Sequence, residues 1–97
     1  MYVVAQHRLL NPEIAFQRGE KLLAGEGAPE GVRNLQFLPA RDGSAVTCLW
    51  EAASVEEIQS WVDGVLGDAA ENHCYEVEVA EAFAERPEGL SAAAPAR

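Results

Sequence analysis

Residues 42–58 read Asp42-Gly43-Ser44-Ala45-Val46-Thr47-Cys48-Leu49-Trp50-Glu51-Ala52-Ala53-Ser54-Val55-Glu56-Glu57-Ile58, and three signals inside them decide the fold. Asp42-Gly43 is a tight-turn pair, because glycine supplies the positive φ that a two-stranded connection requires. It separates two strand-like runs, Val32 to Leu38 and Ala45 to Ala52, which therefore pair as an antiparallel hairpin. Ser54-Val55-Glu56-Glu57 then matches the capping box, in which a serine hydroxyl and a glutamate three residues later satisfy each other's open amides. From that start Ile58, Trp61, Val62, Val65 and Leu66 recur at helical spacing on one face, and Gly67 closes the helix.

The flanks extend the pattern. Tyr2 to Leu9 is rich in β-formers at its start and too short for a stable helix, so it is a strand. Asn11-Pro12 follows, an N-cap residue and then proline at the first helical position, where a missing N–H costs nothing. Ala15, Phe16, Gly19, Leu22 and Leu23 form the apolar stripe of that helix, Glu13, Gln17, Glu20 and Lys21 its wet side, and Gly25 its end. The glycine-rich stretch 25–31 leaves a helix and enters a strand. Phosphate-binding loops run the other way, so it reads as a connector, with a lid as the functional alternative. Downstream, Tyr75, Val77 and Val79 alternate with Glu76 and Glu78, which predicts a last strand reaching towards Phe83. Residues 1–84 make one domain; residues 85–97 lack any apolar period and read as a tail.

The order β-α-β-β-α-β predicts an α+β, ferredoxin-like fold: a four-stranded antiparallel sheet in the order 4-1-3-2 with two helices on one face. The strands carry apolar residues on both parities. In the third, Ala45 and Leu49 point one way while Val46, Cys48 and Trp50 point the other. The face away from the helices therefore needs a cover, and with no third helix the simplest one is the sheet of a second copy, giving a two-fold homodimer.

Bulk properties bound the function. At 97 residues the chain buries one modest core, and a net charge of −9 argues against phosphate backbones and anionic lipid surfaces. No apolar run approaches the roughly 20 residues of a spanning helix, and Met1 leads directly into strand-like sequence, so the expected location is cytoplasmic. Cys48 and Cys74 fall on strands separated by a third, beyond the roughly 7 Å reach of a disulfide, and read as buried thiols.

Tyr2-Val3-Val4 with His7, and Thr47-Cys48-Leu49-Trp50-Glu51-Ala52 running into Ser54-Val55-Glu56-Glu57, resemble a family of small bacterial ferredoxin-like proteins that form dimeric α+β barrels and include a nickel-binding member. The likeness spans most of residues 2–80; the segment Asp68 to Asn72 departs from it. The resemblance implies the dimeric barrel and, more weakly, a bound metal ion.

In a 4-1-3-2 sheet the first and last strands are neighbours, which brings His7 towards His73, Cys74 and Tyr75. Two imidazoles with a thiolate or the Glu76 carboxylate would suit nickel, zinc or copper, so His7, His73 and Glu76 are the candidate metal ligands. The first expectation is thus a homodimeric small-ligand or metal-ion binding module, with His7 its leading functional residue and His73 the partner, the metal being nickel or another divalent transition metal. The second is an enzyme: dimeric barrels of this kind resemble, in fold only, cofactor-free monooxygenases and haem-degrading enzymes, and His7, Trp50, Trp61 and Asn72 supply the residue types found in such pockets, with His7 and Trp50 the expected lining. Glu76 and Glu78 share a strand face and form either an acid–base pair or a solvated edge. A third expectation is a non-catalytic scaffold.

Overall fold

The computed structural model describes residues 1–92, and its order is the one expected. Strand β1 (Tyr2–Leu9) is followed by helix α1 (Pro12–Ala24), strands β2 (Arg33–Pro39) and β3 (Ala45–Glu51), helix α2 (Val55–Leu66), a short 3-10 turn (Gly67–Ala69) and strand β4 (Ala70–Glu76). The strands form one antiparallel sheet in the order β2-β3-β1-β4, the predicted 4-1-3-2 read from its other edge. Trp50, Ile58, Val3 and Val62 are its most deeply buried large side chains, and they define a core between sheet and helices.

Each element starts and stops for a local reason. Asn11 Oδ1 accepts from the Ile14 amide at 3.2 Å to open α1, and Gly25, at φ 75°, closes it in the left-handed conformation. Ser54 Oγ accepts from the Glu57 amide at 3.1 Å to open α2. The capping box closes on that side alone: no hydrogen bond returns from the Glu57 carboxylate, whose Oε2 is buried without a partner. At the far end of α2, Arg18 reaches across from α1 and donates from Nη1 to the Leu66 carbonyl at 2.9 Å and to Asp68 Oδ1 at 3.0 Å. An arginine from a neighbouring helix thus satisfies a carbonyl at the end where α2 has no basic residue of its own.

In the β2–β3 hairpin Asp42 Oδ1 accepts from the Ser44 amide and hydroxyl at 2.9 and 2.6 Å, and Gly43 takes φ 77°. A bulge between Asn34 and Gln36 inserts Leu35 into β2, and Asn34 Nδ2 bridges the irregularity by donating to the Gln36 and Leu49 carbonyls at 3.2 and 3.4 Å. The glycine-rich connector is tied down where Trp61 Nε1 donates to the Glu26 carbonyl at 3.2 Å.

The last strand departs from expectation. It begins at Ala70, directly after the 3-10 turn, and ends at Glu76; a single further bond, from the Val77 amide to the Tyr2 carbonyl at 2.9 Å, extends it. Val79 and Phe83, expected inside or near it, lie beyond, and residues 78–92 are exposed throughout. The alternation of valine and glutamate after Tyr75 is present in the sequence, yet the ladder with β1 stops at the Val3–Glu76 pair and the Val77–Tyr2 bond. Of the expected tail, residues 93–97 lie outside the described residues.

Cys48 and Cys74 flank Ala5 on either side of β1, both free and buried, two strand spacings of about 4.8 Å apart.

Two substitutions test where the stability resides. Ser54→Ala is expected to lower the unfolding free energy by about 1 kcal/mol, and Ile58→Ala, at a fully buried position, by about 2–5 kcal/mol, both read from urea denaturation midpoints at constant m-value.

Candidate functional site

Alternation along β1 sends Val3, Ala5 and His7 under the helices and Tyr2, Val4, Gln6 and Arg8 to the open face. His7 is only 5% exposed, the one buried polar or charged residue among the described residues. The register sets it opposite Val46 on β3 and Asn72 on β4. His7 Nδ1 lies 2.6 Å from Asn72 Oδ1.

A chain of hydrogen bonds fixes the chemistry of that contact. Asn72 Nδ2 donates to Asp63 Oδ1 at 2.9 Å, which orients the amide and leaves its oxygen facing the imidazole. An amide oxygen can only accept, so Nδ1 carries the proton and the Nε2 lone pair is free. Gln59 completes the assembly. Its Nε2 donates to both Asp63 oxygens at 3.1 Å and to the Asn72 carbonyl at 3.0 Å, while its Oε1 accepts from the Cys74 amide at 2.9 Å. Two residues one turn apart on α2 thereby clamp the middle of β4 and, through it, the imidazole.

Burial pushes the His7 pKa below its ordinary value; the hydrogen bond to Asn72 and the negative charge of Asp63 oppose that shift without overcoming it. His7 is therefore a neutral imidazole at neutral pH. Burial also raises both thiols, Cys48 to about 12, with Cys74 adding to the effect, and Cys74 to about 11, with Asp63 adding to it. Both remain protonated and are poor nucleophiles or metal ligands.

His7 lines a small, partly open hollow of about 40 Å³ between the sheet and α1, together with Phe16, Leu22, Phe37, Cys48 and Trp50. Trp50 is 2% exposed, and its Nε1–H has no hydrogen-bond acceptor. Trp61 stacks edge-on against it with ring centroids 5.3 Å apart. Gly19 of α1 also faces the hollow: a Cβ added there would meet nothing within 4 Å. Its φ is negative, so neither backbone geometry nor close packing calls for glycine. A glycine inside a helix costs about 1 kcal/mol against alanine, and here that cost keeps space open above the hollow.

The expected metal ligands are not gathered in one chain. His73 pairs with Gln6, so its side chain lies on the open face, opposite to His7, with its ring centroid 6.2 Å from that of Tyr75. Glu76 pairs with Val3, four residues along the ladder from the His7–Asn72 pair, or about 13 Å. Among the described residues no group of three or more His, Cys, Asp or Glu side chains could hold a metal ion. Glu76 and Glu78 are both exposed, one at the end of β4 and the other past it. Of the pocket residue types, the structure places His7 and Trp50 in one hollow, Asn72 behind His7, and Trp61 behind Trp50. Asp63 and Gln59 were not anticipated. Their only trace in the sequence is a polar pair one helical turn apart beside the apolar stripe of α2.

A model for a domain of unknown function, DUF8652, matches residues 16–86. The chain belongs to that family. The DUF8652 match takes in Gly19, Trp50, Asp63 and Asn72, begins after β1 and His7, and runs ten residues past the end of β4. No curated protein and no solved structure matches the chain. Among the described residues no helix is long and apolar enough to cross a membrane.

The imidazole supplies a pH prediction. Because the folded pKa of His7 lies below the ordinary 6.5, its neutral form contributes stability in full above that pH. As pH falls from 6.5 towards the folded pKa, the unfolded chain takes up a proton that the folded chain refuses, and stability declines. An NMR titration is expected to place the His7 midpoint below 6.5 and to move it lower still in Asp63→Asn, while the decline in unfolding free energy between pH 6.5 and 5 shrinks in His7→Gln.

Proposed function

We propose that this protein is a homodimeric binding module for a small ligand, received in the hollow under α1 with His7 and Trp50 as its polar contacts. One observation carries the reading. An imidazole whose Nε2 is left as an acceptor and an indole N–H buried without an acceptor belong to residues that line one mainly apolar hollow, which a glycine on α1 leaves open. A buried donor left unpaired costs about 1–3 kcal/mol, so a molecule that accepts from Trp50 and donates to His7 would recover energy the empty fold forgoes. Apolar walls with a few convergent polar groups are the usual make-up of a ligand site. About 40 Å³ holds only a few small heavy atoms, and larger ligands would enter by displacing the half-buried Leu23 and Phe37 at its border.

The homodimer half of the proposal rests on the open face of the sheet. Tyr2, Leu38 and Tyr75 are 39–43% exposed there, beside the half-buried Val4 and Leu49. Its charged residues pair across strands, Arg8 with Glu71 at 2.8 Å and Arg33 with Glu51 at 3.5 Å. The face therefore contributes nothing to the net charge of −9, and two copies can approach there with little repulsion.

A second reading, an acid–base enzyme in the manner of cofactor-free oxygenases, is favoured by the chain from His7 through Asn72 to Asp63. A proton taken at Nε2 would leave an imidazolium held against Asn72 with a carboxylate behind it, the arrangement that supports a general base. For nickel, His7 is the one imidazole at the hollow, so metal binding would need donors from a bound molecule or a second copy.

Isotope-labelled protein titrated with acetamide, isopropanol and phenol tests the site. At least one probe is expected to shift the Trp50 indole N–H and the His7 ring signals saturably, and Gly19→Leu, which fills the hollow, is expected to abolish the response. If all three leave both signals unmoved, the ligand site is wrong. Calorimetry with Ni²⁺ on protein purified without an affinity tag gives the metal its own test, with heat lost in His7→Ala the result that would favour it.

A further inference from the structure

After Glu76 the chain leaves the sheet, and the segment from residue 78 to residue 92 is exposed along its whole length. It is not featureless. Phe83 is 93% exposed, Val79 59% and Leu90 51%. Single exposed apolar residues are ordinary, but here three fall on one arm, and the DUF8652 match extends through Phe83 to Arg86. The arm as far as Arg86 thus falls within the family match, while its Phe83 is almost wholly exposed.

We infer that the arm crosses to a second copy of the chain and seats Phe83 on that copy's open sheet face, an inference that rests on the dimer proposed above. Two arguments support it. The first is area. Four strands about 4.8 Å apart and about 24 Å long give a flat footprint of about 450 Å², short of the roughly 800 Å² per partner of a standard stable interface. Only part of that footprint is apolar. An aromatic side chain buries about 150–250 Å², so Phe83 with Val79 and Leu90 would make up much of the shortfall.

The second argument is position. A broad, shallow depression of about 530 Å³ lies across β1, β3 and β4, bordered on the open face by Gln6, Arg8, Thr47, Glu71 and His73 and reaching His7, Val46 and Asn72 of the other parity. It sits at the Arg8–Glu71 end of the sheet, whereas the arm departs from the Val3–Glu76 end. A two-fold axis that sets the two β1 strands antiparallel across the interface brings the arm of one copy over the depression of the other. An aromatic ring seated there would meet the Arg8 guanidinium, a favourable cation–π partner.

Sedimentation of the full chain and of Phe83→Asp, with a mixed-label experiment beside it, tests the inference. Phe83 is 93% exposed, so its replacement is expected to leave the fold intact by circular dichroism. The dimer dissociation constant is expected to rise at least tenfold in Phe83→Asp. A spin label on Phe83→Cys in unlabelled chains is expected to broaden Gln6, Thr47 and His73 of isotope-labelled wild-type chains mixed with them. A dimer of unchanged affinity in Phe83→Asp, or broadening only when label and isotope share a chain, overturns the crossing arm and leaves the dimer standing. A wild-type chain that is monomeric at micromolar concentration overturns both, and leaves the ligand hollow to its own titration.

Discussion

The register of β1 governs everything else in this molecule. The strand is central, held on one side by β3 and on the other by β4, and at its middle Ala5 lies between Cys48 and Cys74. A slip of one residue would turn every side chain to the other face. Gln6 and Arg8 would then lie under the helices and His7 in the open, so the cost of the wrong register would be a buried guanidinium together with a lost core. The small side chain at Ala5 and the complete burial of Val3 leave one way to seat the strand beneath α1 and α2.

That seating forces a polar group into an apolar interior, and the fold answers with a hydrogen-bonded network behind it. His7 is bound by Asn72, Asn72 by Asp63, and Asp63 by Gln59, whose amide also takes up the Cys74 N–H of the same strand. Buried polar networks stabilise only when every member is satisfied. Here the hydrogen-bonded members lie behind the imidazole, towards α2 and β4, while the buried Trp50 Nε1–H, which finds no acceptor, belongs with His7 to the residues lining the hollow beneath α1. On the proposed reading, that division is what would poise His7 for a ligand.

What was legible in the sequence follows from how far each signal reaches. The Asp42-Gly43 turn, the Ser54 cap, the Asn11-Pro12 start and both apolar stripes act within a few residues, and each stands where it was expected. Strand order followed from chain order and the usual topology. The start of β4 was not legible. Ala70, Glu71 and Asn72 are weak strand formers, and they join the sheet because β1 supplies partners, whereas the better-patterned Val77 and Val79 find none beyond Tyr2. That shift of the strand towards the N-terminus changed the partner of His7 from His73 to Asn72 and with it the chemistry, from a pair of imidazoles to an imidazole oriented by an amide. The roles of Asp63 and Gln59 depend on contacts 9–15 residues away in sequence, and the hollow is an absence of atoms above Gly19. Neither leaves a local periodic trace.

The same parity that hides His7 exposes Gln6 and Arg8, so the proposed ligand site and the proposed dimer face are opposite sides of one strand. Two adjacent rungs, Gln6–His73 and His7–Asn72, share the backbone of β1 and β4 and point in opposite directions. A partner's side chain pressing on Gln6 and His73 would therefore act on the very peptide units that hold His7 against Asn72. Packed interiors transmit such displacements because they have little free volume to absorb them. If the proposed dimer distorts those rungs, occupancy of the hollow and strength of the dimer would be linked through a single pair of strands, and by thermodynamic reciprocity each would bias the other in the same direction and by the same factor.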